Sequence, residues 1–169
     1  NDADFLARVD MLNTQGYNVM ISSYLRYFRL REYFRRYTKQ QIGMILGISN
    51  LDLIFTENYY QGLEGGVLEA FAKLFPDNTR LYIYPLKSVG QEKLVTIENF
   101  QPPKNLQHLY QHLIENGYLV GLNDVDEKLL DINLANILSE IQKGRGEWEE
   151  NVPDAVAESI INKKLLGFR

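Results

Sequence analysis

An arginine-rich stretch carries the clearest candidate chemistry in this sequence. Between residues 23 and 37 it holds Arg26, Arg29, Arg31, Arg35 and Arg36. A guanidinium group pairs with phosphate or carboxylate oxygens through two parallel hydrogen bonds, so such a stretch suits an anion-binding site. Charge runs on helices more often simply face solvent, and this alternative stays open.

The residues before this stretch narrow the anion site to four positions. The apolar run 17–21 predicts a buried strand, and Ser22 and Ser23 follow it, where either hydroxyl can cap a helix over 23–37. A strand followed by a helix N-terminus is where α/β proteins often hold phosphate. Arg26 and Arg29 lie one turn apart on that helix. The sequence therefore predicts a phosphate or nucleotide site at Ser22, Ser23, Arg26 and Arg29.

A glycine-rich loop precedes a second predicted helix. Gly62, Gly65 and Gly66 lie within five residues, and successive amides in such a loop can cradle a phosphate. The loop matches neither the P-loop nor the dinucleotide-binding pattern, and Glu64 would repel an anion. A tight turn with close backbone packing is the favoured interpretation.

The two histidines have a spacing that could serve a metal. His108 and His112 lie four residues apart on a predicted helix, but Leu109 occupies the position where a zinc peptidase has glutamate. The sequence has no cysteine to complete a zinc site. We expect histidines with a structural role and no metal site, and no cofactor is indicated.

Strands and helices alternate along the chain. The predicted strands span about 17–21, 41–47, 80–85, 94–97 and 118–122, and the predicted helices span about 4–15, 23–37, 66–75 and 103–116, with further helices after 126. This alternation predicts an α/β fold with a mainly parallel, Rossmann-like sheet flanked by helices. We expect an α/β body at 1–122 and a helical C-terminal segment at 123–169 packed on the same core, in one domain or a piece of a larger protein.

The composition excludes several classes of protein. The chain has 169 residues, 45% of them hydrophobic, a net charge of −4 and no cysteine, which fits a globular cytoplasmic protein without disulfides. No apolar run is long enough to span a membrane. The negative charge argues against a dedicated nucleic-acid binder. We therefore expect neither a nucleic acid nor a membrane as a partner.

The C-terminal stretch carries a family resemblance. Within residues 132–160, two glycines precede Trp148, and Val152-Pro153 precede a closing helix. This pattern resembles the C-terminal end of nucleotidylyltransferases of the nicotinate or nicotinamide mononucleotide adenylyltransferase type, and the whole chain is similar to bacterial proteins of that type. The resemblance implies a C-terminal, nucleotidyltransferase-like domain of a larger bacterial protein.

The chain departs from that family at the residues that would hold phosphate. Ala135 stands where the resemblance implies a hydroxyl, and Leu138 stands where it implies an arginine. Neither side chain can form a hydrogen bond to phosphate. The family's HxGH motif is absent from the sequence. The resemblance therefore implies a domain that does not transfer adenylate alone, although it can still bind a nucleotide or phosphate.

An interaction module is the alternative function. Residues 121–160 carry ten acidic and three basic residues, so the basic helix and this acidic stretch can attract each other, within one molecule or between copies. Eleven tyrosines make exposed aromatic anchors plausible, for self-association or for an upstream domain of the same protein. An enzyme using carboxylates at unidentified positions is a third and weaker hypothesis.

Aromatic and apolar residues of two predicted helical regions are candidates for the core. The arginine-rich helix is expected to bury Tyr24, Tyr27, Phe28, Phe34 and Tyr37. The C-terminal segment is expected to pack on the sheet through Ile137, Ile141, Trp148, Val152, Val156 and Ile160. Trp148 is expected to be largely buried.

Overall fold

The chain contains eight α-helices, four short 3-10 helices and five strands among the residues that the structure describes. The computed structural model describes residues 2–76, 78–87, 94–130, 132 and 134–169, with the backbone alone at 127, 128, 134 and 135. The helices are α1 (Asp2–Thr14), α2 (Tyr27–Arg35), α3 (Ser49–Ile54), α4 (Gly66–Leu74), α5 (Gln107–Glu115), α6 (Glu127–Leu130), α7 (Leu134–Lys143) and α8 (Asp154–Lys163). The strands are β1 (Ile42–Gly47), β2 (Thr79–Tyr84), β3 (Leu86–Lys87), β4 (Leu94–Val95) and β5 (Leu119–Gly121).

These elements form two compact units. The central unit comprises Ser23–Leu130, and the terminal unit combines Asn1–Ser22 with Asp131–Arg169. α1 thus belongs to the same unit as the C-terminal helices, whereas the sequence analysis placed residues 4–15 in the α/β body. The number of domains stays a prediction.

The central unit is built on a three-stranded parallel sheet with the order β1-β2-β5. Met44 of β1 lies opposite Leu81 of β2, which lies opposite Leu119 of β5. Parallel neighbours require long crossovers, and the helices α3, α4 and α5 lie in these connections. The predicted α/β class and parallel sheet are confirmed. β3 and β4 form a separate antiparallel pair.

Aromatic rings join the helices of the central unit into its core. Phe55 follows α3, and its ring meets Phe71 of α4 at 5.2 Å and Tyr110 of α5 at 5.3 Å between centroids, both edge to face. Leu81 and Ile83 of β2 are buried in the same cluster. This core fixes the positions of α4 and α5 relative to the sheet.

The prediction of a strand at 17–21 is wrong. Residues 17–25 form neither a strand nor a helix, and the side chains of Tyr17 and Ile21 are 65% and 58% exposed. An apolar run becomes a buried strand only where a neighbouring strand pairs with it. In the part of the chain that the structure describes, β1 pairs with β2 and no strand pairs with this run.

The arginine-rich helix is shorter than predicted and buries fewer aromatic residues. It begins at Tyr27, and only Phe28 in it is fully buried. Tyr24 and Tyr37 are 38% and 74% exposed, so the prediction that they lie on a buried side is wrong. Tyr24 precedes the first helical residue and Tyr37 follows the last, so the helical periodicity does not extend to either.

The terminal unit has its own apolar cluster. Its buried members are Met11, Ile141, Trp148, Ala157, Ile160 and Leu165. Trp148 is 1% exposed, which confirms its predicted burial, and its ring lies 6.1 Å from that of Phe168. Met11 of α1 completes the cluster, a partner that the sequence did not indicate. None of the described helices is both long and apolar enough to cross a membrane.

A strained turn after α8 is held by α1. Lys164 and Leu166 have positive φ angles of 50° and 57°, a region that side-chain-bearing residues rarely adopt. The Leu166 amide donates to the Asp4 carboxylate over 2.9 Å. The two ends of the chain are therefore bound together within this unit.

Candidate functional site

The two serines of the predicted anion site do not cap the arginine-rich helix. Ser22 and Ser23 are exposed, and the residue at the N-cap of α2 is Arg26, with no side-chain capping bond. The predicted geometry is wrong in this respect, because the strand that was to end at the serines does not form. Phosphate binding by these residues stays a prediction.

Arg26 and Arg29 lie against different parts of the central unit. Arg26 donates from Nη2 to the Gln61 carbonyl over 3.4 Å, and its guanidinium carbon lies 5.8 Å from the centre of the Tyr59 ring. Arg29 is exposed beside α4, where its guanidinium and the Lys73 ammonium each lie 5.8 Å from the Phe28 ring centre. The two arginines therefore have separate neighbours, which favours independent roles.

Two other arginines support the fold. Arg31 donates from Nε to the hydroxyl of buried Thr79 over 3.4 Å, which ties α2 to β2. Arg35 donates from Nη1 to the carbonyls of Thr38 at 2.9 Å and Gln40 at 3.2 Å, which closes the loop after α2. Burial and the nearby Arg35 charge lower the pKa of Arg31. These contacts indicate structural roles rather than a continuous anion-binding face.

Hydrogen-bonding side chains link the carboxyl ends of β1 and β2 to Tyr27, the residue after Arg26. The Tyr27 hydroxyl donates to Asn50 Oδ1 over 2.7 Å, and Asn50 Nδ2 donates to the carbonyl of Gly47, the last residue of β1, over 3.2 Å. Tyr84 ends β2, and its hydroxyl would lie 2.9 Å from a Cβ added to Gly47. We call Arg26, Tyr27, Asn50, Tyr59 and Tyr84 the edge cluster.

Tyr59 joins Arg26 to the edge cluster. Its hydroxyl donates to the carbonyl of Leu25, next to Arg26, and its ring lies under the Arg26 guanidinium. This arrangement holds the start of α2 against the 3-10 helix at Glu57–Tyr60. Because Gln61 bonds only one guanidinium nitrogen and Arg26 is partly exposed, its other N–H groups can reach a ligand.

The electrostatics of the edge cluster favour a bound anion. Burial raises the pKa of Tyr27, with a smaller contribution from Tyr84. Burial also raises the pKa of Tyr59, with Tyr27 adding to the rise and Arg26 opposing it. Both phenols are therefore neutral at pH 7, and Arg26 gives the cluster a net positive charge. One guanidinium, three phenols and one amide make up the cluster, and these hydrogen-bonding groups with one positive charge suit an anion.

The glycine loop forms the tight turn that the sequence favours. The amides of Leu63 and Gly66 donate to the carbonyls of Tyr60 and Leu63 over 3.1 Å each, and the Gly65 amide donates to the Glu69 carboxylate over 3.0 Å. A hydrogen bond from Lys73, followed by that from Gly65, holds the pKa of Glu69 below its usual range. The Gly65 amide, which a phosphate in this loop would need, therefore already donates to the Glu69 carboxylate.

The histidines lie on the surface of α5. His108 and His112 are both exposed, and the His112 ring nitrogen Nδ1 lies 3.2 Å from the side-chain nitrogen of Asn116. No group of three or more potential metal ligands occurs among the residues that the structure describes. Leu138, which departs from the family pattern, is 41% exposed on α7, and the side chain of Ala135 lies outside the described residues.

Comparison with known proteins adds no relative: no family model, no curated protein and no solved structure matches this chain. The functional argument therefore rests on the residues of the chain itself.

The sequence analysis missed four members of the edge cluster. Asn50 follows β1 and Tyr84 ends β2, and both strands were predicted from the sequence. Ligands of α/β proteins commonly bind at the carboxyl ends of parallel strands. That rule would have indicated Asn50 and Tyr84. No spacing in the sequence connects them with Tyr27 or Tyr59, which lie on other segments.

Proposed function

We propose that this chain is an α/β domain that binds a phosphate-bearing ligand, a nucleotide or inorganic phosphate, at the edge cluster. The observation that carries the proposal is the position of Arg26, which is the N-cap of α2 and precedes Tyr27, the residue that Asn50 ties to the carboxyl end of β1. A guanidinium binds phosphate oxygens in pairs, and the helix dipole favours negative charge at the same place.

The neighbouring side chains support this function by fixing Arg26 and the start of α2. Tyr59 bonds the Leu25 carbonyl on one side of Arg26, and Asn50 accepts from Tyr27 on the other. A preorganised charge loses less conformational freedom when the ligand binds. Tyr84 is 43% exposed and can contact the ligand's sugar or base through its ring.

We further propose that the chain belongs to a larger cytoplasmic bacterial protein of the nucleotidyltransferase-like class. The resemblance of residues 132–160 supports this proposal. Leu138 and Ala135 lack the polar groups that would hold the ATP phosphates, so we expect no adenylate transfer by residues 1–169 alone. An assay with ATP, magnesium and nicotinate mononucleotide tests this, and measurable turnover would overturn it.

Calorimetric titration with ATP and with inorganic phosphate tests the binding site. We expect Arg26→Ala to weaken binding by about tenfold or more, because a charge-assisted hydrogen bond to phosphate is lost. Arg36→Ala is the matched control, since it removes an exposed arginine next to the same helix. Arg29→Ala tests the second predicted arginine separately. Equal affinity of the wild type and Arg26→Ala would rule out the edge cluster.

An interaction module is the second candidate, favoured by three neighbouring tyrosines in α2 and on either side of it. The Tyr33 ring lies 5.4 Å from that of Tyr24 and 5.1 Å from that of Tyr37, which is 74% exposed. Exposed tyrosines often anchor protein interfaces. Sedimentation velocity of the wild type and Tyr37→Ser tests this function, and a concentration-independent monomer would exclude self-association.

A further inference from the structure

A cleft lies between α5 and the segment 97–102 in the central unit. Its volume is about 460 Å³, within the range of sites that hold small molecules. Gln107, Tyr110 and Gln111 line it from one face of α5, while Glu98, Phe100 and Gln101 line it from the opposing segment. The cleft is separate from the edge cluster, with which it shares no residue.

The walls of the cleft are fixed by hydrogen bonds and ring contacts. The Tyr110 hydroxyl donates to the Ile97 carbonyl over 2.6 Å, and the rings of Tyr110 and Phe100 lie 5.6 Å apart. Asn99 closes the turn that presents Glu98, since it accepts from the Thr96 amide at 3.0 Å and donates to the Leu94 carbonyl at 2.9 Å. The cleft is therefore a preformed feature of the unit.

The Glu98 carboxylate gives the cleft a negative charge. Hydrogen bonds from the Thr96 hydroxyl, from the Glu98 amide and from Asn123 hold the pKa of Glu98 below its usual range, so it is ionised at neutral pH. Among the described residues, the ion pairs within 4.0 Å join Arg8 to Asp4 and Lys73 to Glu69. No cation of that part of the chain pairs with Glu98.

We propose that this cleft binds a small organic cation, an amine or guanidinium compound, through the Glu98 carboxylate and the rings of Phe100 and Tyr110. A carboxylate pairs with such a cation through charge-assisted hydrogen bonds. The faces and edges of aromatic rings accommodate the cation and its aliphatic body. The amides of Gln101, Gln107 and Gln111 supply hydrogen-bond donors and acceptors for the ligand's other polar groups.

Calorimetric titration with agmatine, which carries a guanidinium and an amine, tests the proposal. We expect the wild type to bind agmatine at millimolar concentration or below, and Glu98→Gln to weaken binding by about tenfold or more. Glu64→Gln is the matched control, because it removes an exposed carboxylate of the same unit outside the cleft and should leave binding unchanged.

A second variant keeps the test valid if Glu98→Gln disturbs the turn. Gln111→Ala changes an exposed residue of the cleft wall and should weaken agmatine binding while far-UV circular dichroism stays unchanged. Glutarate, an anion of similar length, should not bind at the cleft. The proposal is overturned if the wild type does not bind agmatine at millimolar concentration, or if both cleft variants bind it as tightly as the wild type.

Discussion

Replacing Ile160 by alanine should strongly destabilise the terminal unit. Ile160 is 2% exposed in the cluster around Trp148. The substitution removes three carbons from the core, about 2.4 kcal/mol at about 0.8 kcal/mol each. The cavity that remains adds a further cost, which brings the expected loss in unfolding free energy to about 3–4 kcal/mol. That is a large share of the stability of any small unit.

Trp148 provides the assay, because it is the single tryptophan of the chain and lies in the affected cluster. Urea unfolding followed by tryptophan fluorescence should show the midpoint falling by about 1–4 M, for slopes of about 1–3 kcal/mol per M. Ile161→Ala is the matched control, since the neighbouring isoleucine is 36% exposed. Its cost should be about 1 kcal/mol or less, because no enclosed cavity forms.

The comparison between the two isoleucines decides whether the cluster is the core of the terminal unit. Equal shifts of the urea midpoint in both variants would refute the reasoning, because the two side chains differ mainly in burial. An unchanged midpoint in Ile160→Ala would refute it as well, since a buried isoleucine cannot be truncated without cost.

The remaining predictions concern Trp148 of the same cluster, the turn after α8 and the buried tyrosines of the central unit. Trp148→Ala should cost about 3–5 kcal/mol in urea unfolding followed by circular dichroism, and wild-type emission should be blue-shifted from that of free indole. Lys164→Gly should raise the unfolding free energy by about 1 kcal/mol in the same experiment, because Lys164 has a φ of 50° at the C-cap of α8. Lys163→Gly, within the helix, should instead lower it by about 1 kcal/mol. Burial raises the pKa of Tyr60 and Tyr110 above their unfolded value of about 10, so their contribution to stability is present below pH 10 and is lost as the pH rises above it. Absorbance of phenolate should therefore show these tyrosines ionising together with the loss of helical circular dichroism, and ionisation of all eleven tyrosines before unfolding would contradict this.

Elements with a strong local signal could be predicted from the sequence. The strands at 41–47 and 80–85 and the helix at 66–75 carry apolar residues at the right period and end at glycine or proline. Their observed bounds differ by few residues from the predicted ones. The run 17–21 has the same local character, but no strand among the described residues pairs with it. A short run does not by itself reveal whether a distant segment will pair with it.

The residues of the candidate site were harder to predict than the strands and helices, because their roles depend on contacts between segments far apart in the sequence. The sequence drew attention to Arg26 but gave no sign that Arg31 and Arg35 donate to oxygens of the protein itself. All five arginines look alike in a linear pattern, whereas their burial differs. The Glu98 cleft was missed for the same reason, because its two walls come from α5 and from a turn that no motif marks.

The terminal unit is made of two segments, one before and one after the central unit. This arrangement sets the order in which the two units can fold during synthesis. α1 is synthesised before the central unit, yet it packs against α8 and the turn after it, which are synthesised after that unit. About 120 residues separate α1 from α7, which at about 5–20 residues per second amounts to roughly 6–24 s of translation. Throughout that time Met11 lacks the partners that bury it in the finished protein. The nascent α1 therefore stays open to chaperones while the contiguous central unit, Ser23–Leu130, can already fold behind it.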